Sequence, residues 1–462
     1  MKPQPIVNMA ILRRFASLPF RQCAFAILVI LNLSAMAAPP DLTAGYTPPA
    51  NSKTFNLGPT GMSGWFYHDD HKGNSNESRQ ILVKVVDAGS PSAGILQVGD
   101  VILGANGTGG AASAFASDAQ MALANAIADA EARNPAELHV RYWRPGMATG
   151  QFAQATLTLR HMGAYSATAP YNCPKSAKIL KEGLAYVMNP DNGHGAGYRS
   201  TGALALLAAN DPSDPENPAR MARATAEVLQ RMPSQSRINS LLNNSLPEGS
   251  KDTWVYGMDL LLLSEYYLVT GDTTVVPGIH ALAVAAANGQ TSMGTWGHRF
   301  TPRNVDGMLN GNYDWGYGSV NSAGMYCFLG LMLAKECGID DPRVNRAIER
   351  SQHFFACFAG YGSIPYNEEF ALVGNDSKLK SHESNGKSGM AAICFSLAQN
   401  RSFEQKYNTQ LAVAAAQERY TGHNGPWFNM FWAPLGAAVG GEQAAASHFR
   451  RISATLDLAR RW

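Results

Sequence analysis

The sequence feature that most constrains this chain is a loop rich in glycine and aromatic residues that leads directly into an apolar helix. It is clearest at residues 310–334, NGNYDWGYGSVNSAGMYCFLGLMLA, where nearly every residue after the loop is small or apolar. A helix without a polar face is a buried helix. The same arrangement recurs as GYRSTG (197–202) before ALALLAA, WVYG (254–257) before MDLLLLSEYYL, HESNGKSG (382–389) before MAAICFSLA, and GPWF (425–428) before NMFWAPLGAA. Five copies predict a repeated, helical architecture.

The helical pattern extends over residues 170–462. Helices that follow the glycine-aromatic loops are nearly uncharged, whereas those between them carry charge on one face, which predicts an inner and an outer ring. Each helical hairpin needs neighbours to cover it, so we predict an all-α region of repeated hairpins that closes into an α/α toroid. The predicted helices span residues 176–188, 201–209, 219–232, 253–269, 275–288, 320–337, 342–359, 387–399, 403–419, 428–439 and 442–460.

Residues 1–37 have the pattern of a cleavable signal peptide. Four basic residues and no acidic residue accompany an apolar run from Cys23 to Leu33, and Ala35-Met36-Ala37 follows. The run is shorter than the roughly 20 residues that a membrane span needs, so cleavage after Ala37 is favoured over an uncleaved anchor. We therefore expect a secreted or periplasmic protein that meets a membrane only through this segment.

Charge and cysteine content exclude two further classes of protein. Removal of the four basic residues of the signal lowers the formal net charge from +2 to −2. A basic surface for nucleic acid is therefore not predicted. The cysteines that remain are odd in number and lack C-x-x-C spacing, so no disulfide framework is predicted.

A small mixed β and α domain is predicted over residues 53–163, after a proline-rich linker at 38–52. A β-branched run at 80–87 predicts a strand with both faces covered. The segment SAGILQVGDVILGANG (92–107) adds a Gly-Asp turn, a short strand and an Asn-Gly reversal. A helix at 118–132 and strands at 137–143 and 154–160 complete the domain. This region resembles the PDZ domains of secreted bacterial proteins, whose central motif residues 93–107 nearly reproduce.

The PDZ resemblance implies a peptide-binding loop at residues 57–62. In that family, backbone amides of this loop hold the C-terminal carboxylate of a peptide, which joins the sheet edge. The residues that match are Leu57, Gly58, Gly61 and Met62. Pro59 departs from the pattern because it has no N–H group to donate. Both a peptide partner and a purely structural role remain open for this domain.

The helical region resembles the toroids of terpenoid-cyclase-like proteins, prenyltransferases and several glycan-active enzymes. Their inner helices also follow G-x-W-G and aromatic loops, as Trp296-Gly297 and Trp315-Gly316 do here. A PDZ domain followed by a toroid that contains HESNGKSG also resembles a family of secreted bacterial proteins. These resemblances imply architecture and no particular catalytic residue.

Polar residues in the loops before the inner helices are the candidates for chemistry, because such loops meet at one end of a toroid. A His-Glu pair suits general acid–base catalysis, and Asp314 with Glu383 would suit glycoside hydrolysis. Three histidines would also suit zinc, but H-E-x-x-H is absent and we predict neither a metal nor a cofactor. The candidate catalytic residues are His194, Asp314, His382, Glu383 and His423. Helix capping is the alternative role for such loop residues.

Aromatic and amide side chains in the same loops predict a site for a carbohydrate or another polar ligand. The candidate substrate-binding residues are His298, Trp315, Tyr317, Asn385, Lys387 and Trp427. The same aromatic residues would also suit a toroid that is filled by its own side chains. The sequence thus favours an exported glycan-active hydrolase or lyase, with a non-catalytic scaffold for peptides or polysaccharides as the alternative.

Overall fold

A computed structural model describes residues 39–68, 75–189, 196–249, 251–302, 318–367, 385–414 and 425–462, with only the backbone at 196–200, 385 and 425–427. An antiparallel sheet comes first and a helical region follows. The strands are β1 (Phe55–Asn56), β2 (Met62–Phe66), β3 (Ile81–Val86), β4 (Val101–Asn106), β5 (Glu137–Trp143) and β6 (Ala153–Thr158). The helices are α1 (Ala119–Glu131), α2 (Pro174–Met188), α3 (Ala196–Ala208), α4 (Asn217–Leu229), α5 (Gln235–Leu242), α6 (Asp252–Thr270), α7 (Val276–Asn288), α8 (Asn321–Glu336), α9 (Pro342–Ala356), α10 (Asn385–Leu397), α11 (Ser402–Ala414), α12 (Gly425–Ala438) and α13 (Glu442–Ala459).

The six strands lie in the order in which they occur in the chain, and every neighbouring pair is antiparallel. Helix α1 begins after Asp118, whose carboxylate accepts a hydrogen bond from the Met121 N–H at 3.1 Å. Leu123 and Ile127 on α1 are fully buried with the sheet residues. The prediction that β3 is covered on both faces is wrong: Ile81 and Val83 are buried whereas Lys84 is exposed. An antiparallel sheet can leave one face to solvent.

Four of the apolar helices run parallel to one another. Gly257 in α6 approaches α8 so closely that an added Cβ would lie 2.9 Å from the Cys327 nitrogen. At the other end of the same pair, the Cys337 thiol contacts the Ser264 carbonyl oxygen at 3.6 Å. Contacts of Gly386 with Phe428 and of Gly389 with Gly436 align α10 with α12 in the same way. Glycine is required where two backbones approach this closely.

The amphipathic helix α9 packs against the apolar helix α8. Phe355 in α9 stacks on Phe328 in α8, with ring centroids 5.5 Å apart. Helix α9 begins after Asp341, whose carboxylate accepts from the Arg343 N–H at 2.8 Å. Asp341 also forms an ion pair with the Arg343 side chain, which holds the pKa of its carboxyl well below the usual range. The predicted alternation of apolar and amphipathic helices holds for α8 and α9, but it is wrong at α7, which lies between α6 and α8 and is apolar and almost entirely buried.

Helix α13 packs against the sheet region at the start of the chain. Ala454 and Leu458 are buried in the same apolar cluster as Leu57, Phe66 and Leu123. Residues 41–462 consequently form one compact unit. The cysteines at 173, 327, 337, 357 and 394 are all free thiols. In the described ranges, no helix combines the length and the apolar character that crossing a membrane would require.

Candidate functional site

Helices α6, α8, α10 and α12 begin at the same end of the helical region, and residues of their first two turns touch. Tyr326 in α8 contacts Trp254 in α6 and Phe428 in α12, with ring centroids 5.9 and 5.8 Å apart. Phe428 in turn lies against Gly386 at the start of α10. We call this end of the four helices the loop end. The N-terminus of an α-helix presents backbone N–H groups and a partial positive charge, so four of them favour a ligand that accepts hydrogen bonds.

Three hydroxyl groups at the loop end have no hydrogen-bond partner. They belong to Thr253 in α6, Ser322 in α8 and Ser388 in α10, and all three side chains are fully buried. A buried hydroxyl without a partner costs about 1–3 kcal/mol. Unpartnered buried hydroxyls also occur at Ser264, Thr409 and Thr455, so the distinctive feature here is that three of them stand in the first turns of neighbouring helices, where a ligand would complete them.

Other polar groups at the loop end are held in place. The Asn321 amide donates to the backbone oxygen of Asn367 at 2.7 Å, and its side-chain oxygen accepts from the Thr295 hydroxyl at 2.9 Å. The Asn429 side-chain oxygen accepts from the Gly386 N–H at 2.8 Å and so caps α10. These bonds fix the first turns of α8 and α10 relative to the neighbouring loops.

Two of the predicted ligand-binding residues lie at the loop end. The Nδ1 atom of His298 accepts from the Trp254 indole at 2.9 Å, which places the proton of the neutral ring on Nε2. Lys387 is 1% exposed in the first turn of α10. A lysine buried to this degree needs partners of its own, because an isolated buried charge costs much free energy, and Lys387 has them. By contrast, Trp296 donates to the Ala286 carbonyl oxygen at 2.9 Å in the core and is a structural residue.

All five predicted catalytic residues and two of the predicted substrate-binding residues lie outside the described part of the chain. They are His194, Asp314, Trp315, Tyr317, His382, Glu383 and His423. Asn385 and Trp427 belong to the first turns of α10 and α12, where the backbone alone is described. The roles assigned to these residues therefore stay predictions. Across the described ranges, no group of three or more histidine, cysteine or acidic residues is arranged to hold a metal ion.

The predicted peptide-binding loop is covered by α13. Leu57, Gly58 and Met62 are all buried. Gly58 has a φ of +68°, and a Cβ there would lie 2.7 Å from the Asp457 carbonyl oxygen. Gly61, three residues later, has a φ of +72°, and a Cβ there would clash with Ser90 and lie 2.9 Å from the Trp462 ring. Peptide binding at this loop stays a prediction, and it requires that α13 move away.

A cluster of buried charges joins α13 to the sheet region, and sequence reasoning missed it. Lys175 at the start of α2 lies 3.0 Å from the Glu131 carboxylate and 3.3 Å from that of Asp457. Arg460 contacts the same two carboxylates at 2.6 and 3.1 Å. The Tyr165 hydroxyl donates to Asp457 at 2.8 Å. We call these five residues the charge cluster.

Burial dominates the electrostatics of the charge cluster. It raises the pKa of Asp457, although Arg460 and Lys175 oppose the change. It also raises the pKa of Tyr165, and the nearby Asp457 carboxylate acts in the same direction. Two cations face two carboxylates, and all four side chains are at most 9% exposed. The balance of charge indicates a structural joint and not a catalytic site.

Comparison with known proteins gives one result. A family model described as "Domain of unknown function (DUF6288)" matches residues 176–462, which is more than half of the chain. No curated protein and no solved structure matches the chain. The matched segment begins in α2 and contains the whole loop end together with α13. The chain therefore belongs to the DUF6288 family.

Proposed function

We propose that this is an exported protein whose helical region is an α/α toroid that binds a carbohydrate at the loop end and acts on it as a hydrolase or lyase. The observation that carries the proposal is the set of three buried, unpartnered hydroxyl groups on Thr253, Ser322 and Ser388. They stand in the first turns of three parallel helices. A sugar supplies both donors and acceptors, so it satisfies hydroxyls and helix N–H groups together.

The charged groups near the loop end favour an acidic sugar. Lys387 lies beside Ser388 and is almost completely buried. The first turns of α6, α8, α10 and α12 add partial positive charge. A uronic acid or another carboxylated sugar would be stabilised by both. In this proposal His382 and Glu383, just before α10 in the chain, exchange protons with the bound sugar.

The catalytic part of the proposal is tested by Glu383→Gln. This change keeps the size of the side chain and removes its charge. A catalytic Glu383 predicts a loss of turnover of at least a hundredfold with an unchanged melting temperature. Turnover on acidic polysaccharides is followed as new reducing ends for a hydrolase, or as absorbance of a new carbon–carbon double bond for a lyase. Glu442→Gln, in the first turn of α13, is the matched control and leaves turnover unchanged.

A non-catalytic binding scaffold is the second candidate, and the packing of aromatic rings favours it. Tyr326, Phe428 and Trp432 are at most 3% exposed, and the Trp432 indole donates to the Tyr326 hydroxyl at 3.1 Å. Rings in this arrangement fill space between helices. A scaffold predicts calorimetric binding of an acidic oligosaccharide without turnover, and equal affinity in Glu383→Gln. If the unmodified protein neither binds nor turns over any sugar tested, both candidates are rejected.

A further inference from the structure

A separate cavity lies among the apolar helices, away from their first turns. Its volume is about 760 Å³, within the range of roughly 300–1,000 Å³ that is usual for small-molecule sites. It is lined by the later parts of α3, α6 and α12, with Leu329 from α8 and Ile393 from α10. Trp432 lines it as well.

The lining is apolar with one exception. Two of the described residues that line the cavity carry a polar side-chain group, Glu265 of α6 and Trp432 of α12. The Trp432 indole N–H already donates to the Tyr326 hydroxyl, so only the Glu265 carboxyl remains. Glu265 makes no hydrogen bond or ion pair within the described part of the chain. Burial raises the pKa of its carboxyl, and no cation opposes the change. The cavity thus combines a long apolar wall with one acid that lacks a counter-charge.

The direction of the surrounding helices makes the electrostatic potential in the cavity more negative. Helices α3, α6 and α12 end at Ala208, Thr270 and Ala438, and lining residues reach Ala209, Val269 and Val439. The C-terminal end of an α-helix carries a partial negative charge, which favours cations. The loop end, with four helix N-termini, has the opposite preference.

We propose that this cavity binds an amphiphile that consists of an alkyl chain and an ammonium group, with the ammonium group against Glu265. The apolar lining removes the chain from water, and the carboxylate together with the three helix ends selects a cation over an anion. Leu180 and Leu435, exposed side chains at the rim, extend the apolar surface outwards. The proposal is independent of carbohydrate binding at the loop end.

Three probes of equal chain length test the proposal: decylammonium, decanol and decanoate, titrated calorimetrically into the full chain below their micelle concentrations at pH 8. Decylammonium should bind at least tenfold more tightly than decanol, and decanoate should not bind. Shortening the alkylammonium chain should weaken binding roughly fourfold for each methylene removed. Equal binding of all three probes, or of none, would overturn the proposal.

Variants locate the site. Glu265→Gln should weaken decylammonium binding at least tenfold and leave decanol within twofold. Glu336→Gln is the matched control. Both Glu336 and Glu265 lie near Cys337, but Glu336 is exposed and does not line the cavity, whereas Glu265 is half-buried and does. Ala205→Phe places a ring on the cavity wall and should abolish binding of every probe, with folding checked by circular dichroism. If both Glu265→Gln and Ala205→Phe bind decylammonium as tightly as the unmodified protein does, the ligand lies elsewhere and the proposal is wrong.

Discussion

The charge cluster and the loop end both bury polar groups, but they differ in whether those groups have partners. In the charge cluster, Lys175 and Arg460 face Glu131 and Asp457. At the loop end, the hydroxyls of Ser322 and Ser388 have no partner at all. A buried group with its partner belongs to the folded structure, whereas one without a partner is kept at a cost. The comparison separates a joint that stabilises the protein from a place that a ligand would complete.

The largest effect should come from the charge cluster. Lys175→Met leaves two buried carboxylates with one cation, so we expect a loss of about 3–5 kcal/mol in the free energy of unfolding. Urea denaturation measures it. Arg160→Met is the control, because the Arg160–Glu182 pair is exposed and such pairs contribute little. Similar losses in the two variants would mean that the cluster is no stronger than a surface ion pair.

A smaller effect should appear when the pH is lowered. His448 on α13 is 2% exposed, and burial lowers its pKa from 6.5 to about 4. The unfolded chain therefore takes up a proton at higher pH than the folded chain does, and stability falls as the pH falls from 6.5 to 4. The loss from this residue should be at most about 3 kcal/mol.

The matched variant for this pH effect is His448→Gln, which cannot titrate. Melting temperatures of the two proteins at several pH values give the comparison. The difference between them should change between pH 6.5 and 4 and stay constant above that range. A difference that does not depend on pH would show that the pKa of His448 is the same in the folded and the unfolded protein.

The smallest effect on stability should come from removal of an unpartnered hydroxyl at the loop end. Ser388→Ala removes a buried group that bonds to nothing, so stability should be unchanged or slightly higher. Ser92→Ala is the control, because the Ser92 hydroxyl donates to the Thr60 carbonyl oxygen at 2.8 Å and its loss should cost about 1 kcal/mol. Thermal unfolding decides between them. Equal losses in both variants would show that Ser388 has a structural bond, and the loop end would lose its distinction from the charge cluster.

The sequence predicted the helices of the second region well. All eleven predicted helices are present, because each begins at a glycine-rich loop, a proline or a polar cap and continues into an apolar or amphipathic run. Helix α5 was missed. It is eight residues long, QSRINSLL, and its main signal is Ser234, whose hydroxyl accepts from the Arg237 N–H. One cap on a short polar stretch is weak evidence against a loop.

The buried polar groups were predicted less completely, for a physical reason. His298 and Lys387 were selected as candidates because they stand in or beside glycine-rich loops, and their roles stay predictions. Lys175 and Asp457 were not, since each lies on an amphipathic helix where a charge ordinarily faces water. They are 282 positions apart in the chain. Without homologous sequences, nothing in the pattern relates two residues at such a separation.

The charge cluster also decides where a fragment of this protein should be cut. The family model begins at residue 176, immediately after Lys175, and it excludes Tyr165 and Glu131. A fragment that starts there would retain Asp457 and Arg460 but lose the other three members of the cluster. It would also expose Ala454 and Leu458, which the sheet covers in the intact chain. The smallest piece that keeps α13 fully packed therefore includes the sheet, so the boundary of the sequence family does not coincide with the boundary of a folding unit.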